Sequence, residues 1–120
     1  LFAASEESSA SPIFKESVIN AKEGDTVLAL KKLAPVRMLK NDFCNSVLEQ
    51  EKTGASQEAL VELLGKGRAR KGIFEGNMIE GELEIGQSSS LVSVIQPVKS
   101  IMNTLIEEYQ NAHKNFVSYF

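Results

Sequence analysis

His113 is the one histidine of the 120-residue chain and Cys44 the one cysteine. A zinc site needs several such ligands together, and neither residue has a second one near it in sequence. His113 falls on the apolar side of a helical pattern, which makes it a packed or half-exposed structural histidine. Cys44 follows Phe43 near a helix start, where a thiolate can be stabilised, but no neighbouring base is there to activate it. It reads as a buried structural thiol. Glu6-Glu7 and the set Glu80, Glu82 and Glu84 have carboxylates enough for acid/base work or calcium, yet they lack the Asp/Asn-Gly spacing of a calcium loop. They read as solvated carboxylates. Gly65-Lys66-Gly67-Arg68 has the flavour of a phosphate loop without its Gly-x-x-x-x-Gly-Lys-Ser/Thr spacing and without a preceding strand. No self-sufficient catalytic constellation is present.

The elements that would position these residues follow from periodicity and punctuation. Ser11-Pro12 predicts a helix start, with Ser11 as cap and Pro12 in the first turn. Phe14, Val18 and Ala21 continue at helical spacing, and Gly24 is the expected stop. Thr26–Leu30 and Val36–Leu39 read as two strands of a hairpin joined through 31–35. Asn41 or Asp42 caps a second helix carrying Phe43, Val47 and Leu48 and ending at Gly54. Ser56 caps a third, with Leu60, Leu63 and Leu64 on its buried side. From Gly65 to Gly86 repeated glycines (Gly67, Gly72, Gly76 and Gly81 between them) predict an ordered, winding connection of short turns. Pro97 opens the strongest element. Val98, Ile101, Met102, Leu105, Ile106 and Tyr109 recur at i, i+3, i+4, i+7, i+8 and i+11, extended by Ala112, His113 and Phe116. That stripe is expected to be covered, either by a second copy or by the chain's own core. The fold class is α+β, mainly helical with one small β-hairpin.

Composition narrows the function classes. With 42% hydrophobic and 24% charged residues, the chain has the make-up of a globular domain. A net charge of −3 and a pI near 5.2 disfavour a nucleic-acid or anionic-membrane binder. The basic run Lys66, Arg68, Arg70 and Lys71 is offset by Glu58, Glu62 and Glu75 and reads as a solvated helix face. One cysteine fits a reducing cytoplasm, and no stretch is apolar enough to span a membrane. The chain begins Leu1-Phe2 without methionine, from which an upstream portion is expected.

Three segments carry a resemblance. They are Phe2-Ala3-Ala4-Ser5-Glu6-Glu7-Ser8-Ser9-Ala10-Ser11-Pro12-Ile13-Phe14-Lys15; Asp25-Thr26-Val27-Leu28 with Pro35-Val36-Arg37-Met38-Leu39-Lys40-Asn41; and Gly67 to Asn77 with Glu80-Gly81-Glu82-Leu83-Glu84-Ile85-Gly86-Gln87. In this order and spacing the chain resembles the C-terminal third of the nitronate monooxygenases (2-nitropropane dioxygenases) and their flavin-dependent enoyl-acyl-carrier-protein reductase relatives. The resemblance implies the C-terminal cap and closing helices of an FMN-binding (β/α)8 barrel. It divides the chain into 1–24, a helix following the eighth barrel strand; 25–85, a cap with hairpin and helices; and 86–120, the returning helices. Leu1 stands where the family usually has Arg. The catalytic histidine and nearly all flavin contacts are expected upstream, so no catalytic residue is assigned here.

The same resemblance brings Glu84, Ile85, Gly86 and Gln87 to the flavin and substrate pocket. Gly86 lets a bulky group approach its backbone and Gln87 offers hydrogen bonds. The competing reading is that Gly86 only breaks a helix and Gln87 caps the next. The expected partner is the N-terminal barrel portion, with homo-oligomerisation through the last helix as a further expectation. FMN belongs to the parent enzyme and is not expected to bind this chain by itself. Nitronate oxidation and enoyl reduction are not separated by these residues. The alternative function class is a non-catalytic helical interaction or dimerisation module.

Overall fold

The computed structural model describes residues 1–120. Five α-helices and one hairpin follow in the order α1 (Pro12–Asn20), β1 (Thr26–Ala29), β2 (Val36–Leu39), α2 (Asp42–Lys52), α3 (Gln57–Leu64), α4 (Arg68–Ile73) and α5 (Val98–Ser118). Short 3-10 turns occupy Phe2–Ala4 and Gln87–Leu91.

Side-chain caps set three helix starts. The Ser11 hydroxyl accepts from the Phe14 N–H, the Asn41 side chain from Cys44 and the Ser56 hydroxyl from Ala59. Each satisfies a first-turn donor that has no partner within the helix. Asn41, not Asp42, is therefore the cap of α2. Glu7 does the same for α5 from a distance, both carboxylate oxygens accepting from the Val98 N–H at 3.1 and 2.9 Å. Pro97 precedes that helix as its cap residue and contributes no side-chain bond.

The hairpin pairs Thr26 with Leu39 and Ala29 with Val36, antiparallel. Leu30 does not extend β1 as expected. Its φ of 55° puts it in the left-handed region, where it opens a turn closed by the Leu33 N–H on the Leu30 carbonyl. Leu30 is buried in that pose, so packing offsets a backbone cost that a leucine ordinarily avoids. The first helix likewise ends earlier than expected. Ala21 turns extended, and the Asp25 carboxylate takes the Lys22 N–H at 2.7 Å, leaving Gly24 in the following turn.

β2 separates two cores because alternate strand residues face opposite sides. Leu39 joins Phe14, Val18, Leu83 and Val92 on one side. Met38 joins Leu30, Phe43, Cys44, Val47 and Leu60 on the other. The outer edge of β2 is also used. Leu39 N–H donates to the Leu83 carbonyl and Ile85 N–H to the Arg37 carbonyl, laying 83–85 beside the strand.

The winding 65–86 connection contains one true helix, α4, which includes Gly72. Gly72 and Gly81 lie back to back: a Cβ on Gly81 would sit 2.2 Å from the Gly72 Cα. These two glycines are required by packing, not by φ.

The stripe of α5 departs most from expectation. Ile101 alone in that helix is buried, while Met102, Leu105, Ile106, Tyr109 and Phe116 are exposed. The helix does not fold over the chain's own core. Its 21 residues make a rod about 31 Å long, which leaves the body near its first turns.

Candidate functional site

Glu84, Ile85, Gly86 and Gln87 emerge together on the surface, at the point where the β2-edge pairing ends. Ile85 is half-buried against the Phe14 core; Glu84, Gly86 and Gln87 are exposed. Gly86 has φ −77° and ψ 164°, extended backbone that any residue adopts. A Cβ there would meet only the Ser88 hydroxyl at 3.8 Å, an ordinary contact. Nothing inside the chain calls for glycine at 86, in contrast to 72 and 81. Gln87 begins a 3-10 turn and makes no side-chain cap, so the helix-capping reading of Gln87 does not hold. Its side chain is free for a group outside the chain.

Beside this edge lies a cleft of mixed polarity of about 450 Å³, lined by Leu1, Ser88, Leu91, Val92, Gln96, Ile101, Thr104, Leu105 and Glu108. It is formed by the 87–91 turn on one side and the first half of α5 on the other. The chain start supplies a third wall. None of Glu84–Gln87 lines it, although Ser88 is the next residue.

The other chemistry-bearing residues are accounted for elsewhere. Cys44 is fully buried, and burial pushes its thiol up, against the smaller lowering effects of the Asn41 hydrogen bond and nearby Lys40. A thiol held protonated in an apolar core is unreactive. His113 is exposed, not packed, and stacks on Tyr109 with ring centroids 6.5 Å apart. No three His, Cys, Asp or Glu side chains gather where they could hold a metal. No helix is long and apolar enough to cross a membrane.

Two expectations about charges are corrected. Arg68 is not part of a solvated face: its side chain is 22% exposed. Its guanidinium donates to the carbonyls of Leu63, Leu64 and Glu80 and to the Glu80 carboxylate at 2.8 Å, and it lies 4.6 Å over the Phe43 ring. Five donors in a planar fork make such a clamp possible where lysine could not. Glu82 is buried at 6% exposure rather than solvated. Burial raises its carboxyl above the usual range, nearby Glu84 adds to the rise, and Arg68 opposes it.

With Arg68 committed to these carbonyls, the Gly65–Arg68 turn offers no phosphate cradle. Asn41 completes the junction. Its carboxamide donates to the Met78 and Gly81 carbonyls at 2.9 and 2.8 Å while its oxygen caps α2. The sequence offered Asn41 or Asp42 as the cap and gave no sign of these bonds, because their acceptors lie 37 and 40 residues away.

The geometry is that of a wall and not of an enclosed site: a hydrogen-bonded junction holds an open glycine-glutamine edge beside a cleft of mixed polarity. The chain belongs to the nitronate monooxygenase family, whose model matches residues 1–108. This is a family of FMN-dependent oxidoreductases. The chain is similar to the solved structure of FabK from Thermotoga maritima, at 32% identity and a TM-score of 0.88 over 99% of its length. It is also similar to the M276A mutant of the same protein, at 28% identity and a TM-score of 0.81, again over 99%. It spans only 38% and 35% of those chains. No curated protein matches it.

The residues present fit a flavin on one side only. The 84–87 edge has an accessible backbone at Gly86 and a free amide at Gln87, which suit the flank of a flat ring.

Proposed function

We propose that this chain is the C-terminal portion of an FMN-dependent oxidoreductase of the nitronate monooxygenase or enoyl-acyl-carrier-protein reductase type. Its parts are the helix after the last barrel strand (1–24), the cap (25–85) and the returning helices (86–120), and the barrel is supplied by an N-terminal portion. In the intact enzyme Glu84, Ile85, Gly86 and Gln87 line the flavin and substrate pocket. When bound, the flavin supplies the redox chemistry. The residues of this chain shape the pocket and exclude water, and the proton-transferring group belongs to the barrel.

The observation that carries the reading is Gly86. It has neither a positive φ nor an internal close contact, so a group from outside the chain has room to approach its backbone. Membership of a flavin-dependent family makes the flavin or its substrate our reading of that group. Leu1, Phe2, Leu91 and Val94 are exposed apolar residues that the barrel would cover in this reading.

The chain alone is expected to be inactive and to bind FMN weakly. Titrating FMN into the purified 120-residue chain, with flavin fluorescence as the readout, is expected to give no micromolar binding. The same titration with a polypeptide carrying barrel and cap together is expected to give tight binding. Micromolar binding to the chain alone would overturn the assignment of the cradle to the barrel.

A further inference from the structure

We propose that Glu82 is a positioning residue for the 84–87 edge. With its carboxyl neutral it keeps the segment docked between α4 and β2; ionised, it releases the segment, so one proton sets where Gly86 and Gln87 stand. The consequence for a ligand rests on the reading of 84–87 as a pocket wall, whereas the docking is a property of this chain.

Glu82 is 6% exposed. Its carboxyl accepts no hydrogen bond and joins neither ion pair of the chain, Arg68–Glu80 and Arg70–Glu75. Arg68 is near enough to act on it, but that guanidinium is spent on the carbonyls of Leu63, Leu64 and Glu80 and on the Glu80 carboxylate. An ionised carboxylate so placed lacks donors and most of its water, and the neutral acid is the form that suits it.

The segment around Glu82 is held on two sides by backbone bonds. Glu82 N–H donates to the Arg68 carbonyl of α4 at 3.0 Å. Leu39 N–H of β2 donates to the Leu83 carbonyl at 3.0 Å, and Ile85 N–H to the Arg37 carbonyl at 3.2 Å. Against α4 the fit is tight: a Cβ on Gly72 would lie 2.7 Å from the Leu83 side chain and 3.0 Å from the Glu82 carbonyl. Gly86 follows directly after the last of these bonds. Lifting 82–85 from α4 and β2 therefore hydrates Glu82 and displaces Gly86 and Gln87 in one movement.

The surrounding charges favour that movement once Glu82 ionises. Glu84 follows on the same side of the extended segment and repels it. Burial and this neighbour raise the Glu82 carboxyl, and Arg68 opposes them. Glu80 is bound to Arg68. On β2 the charged residue is Arg37, turned to the Thr26 carbonyl and hydroxyl at 3.3 and 3.2 Å. α2 meets the junction with Asn41 and Phe43, which carry no charge. With the folded value raised, the neutral, docked form prevails at low pH and is lost as pH rises through that value. By linkage, a ligand that needs the docked edge takes up a proton on binding, and its affinity falls over the same range.

Amide hydrogen exchange of the 120-residue chain at about pH 5 and about pH 8 tests the proposal, read as protection factors that remove the intrinsic effect of pH. The amides of Leu39, Glu82 and Ile85 close the docking bonds. They are expected to lose about tenfold or more in protection at the higher pH, relative to the amides of α2. Glu82→Gln, neutral throughout, is expected to keep that protection. Carbon-13 titration of the Glu82 carboxyl in the unaltered chain is expected to run parallel with the loss, whatever the fold of the variant. FMN takes no part in these measurements, so their failure leaves the pocket assignment standing. Equal protection at both pH values, a variant that loses protection as its parent does, or a carboxyl that titrates while the three amides stay protected would overturn the proposal.

Discussion

Glycines 81 and 86 lie five residues apart and are glycines for opposite reasons. Gly81 is pressed against the backbone of Gly72, inside a junction where Asn41 and Arg68 satisfy the carbonyls of the connecting turns. Gly86 has open space around it and backbone angles that any residue accepts. The first region is closed by the chain itself, and a substitution there is felt as stability. The second is open, and a substitution there is felt only by whatever approaches from outside. A glycine in a sequence marks a missing side chain; only the surroundings say whether the fold or a ligand needs the room.

The comparison breaks most readily at the junction. Gly81→Ala forces two backbones apart and is expected to cost about 3 kcal/mol or more, a large share of a small domain's stability, measured by urea unfolding. Asn41→Ala removes a helix cap and leaves two carbonyls without their donor, for an expected loss of about 2–3 kcal/mol. Asn41→Asp keeps the cap and loses the donors, so it should fall between the two. An Asn41→Asp protein as stable as the parent would show that the bonds to Met78 and Gly81 contribute little.

Smaller effects sharpen the contrast. Glu82 has a folded-state carboxyl raised above its unfolded value, chiefly by burial. The unfolded chain therefore binds fewer protons than the folded chain between those two values. Stability is expected to fall as pH rises from about 4 through the folded value, and then to level off. Glu82→Gln should flatten that part of the pH–stability curve and gain up to about 1 kcal/mol at neutral pH. An unchanged curve would mean that Glu82 is adequately solvated. Gly86→Ala is expected to change stability by less than about 0.5 kcal/mol, the smallest effect of the series.

How much of this was legible in the sequence depended on the range of each interaction. Ser11, Asn41 and Ser56 act within three residues, so their capping roles could be read directly, as could the apolar spacing of α2 and α3. Leu30 could not: its left-handed turn is held by the core around it, against local preference. Arg68 looked like one of four surface cations because its carbonyl partner at residue 80 and the Phe43 ring are distant in sequence. Glu82 likewise looked like one of three exposed carboxylates, because the α4 residues that hold its backbone, Arg68 and Gly72, are distant in sequence. The stripe of α5 was plain in the sequence, but amphipathicity states that a face wants cover and not what provides it. Glu84–Gln87 were singled out through resemblance alone, since no spacing among them marks a pocket, and the open surroundings of Gly86 are compatible with that choice.

The claim that Gly86 is open for a flavin or substrate is tested most directly by filling that space. Gly86→Leu, placed in a polypeptide that carries the barrel together with this chain, is compared with its parent in urea unfolding and in FMN titration followed by turnover. The account predicts an unchanged unfolding midpoint and a loss of about tenfold or more in FMN affinity or in kcat/KM. A variant that binds FMN and turns over as its parent does would contradict it, and so would one that loses function only because it unfolds.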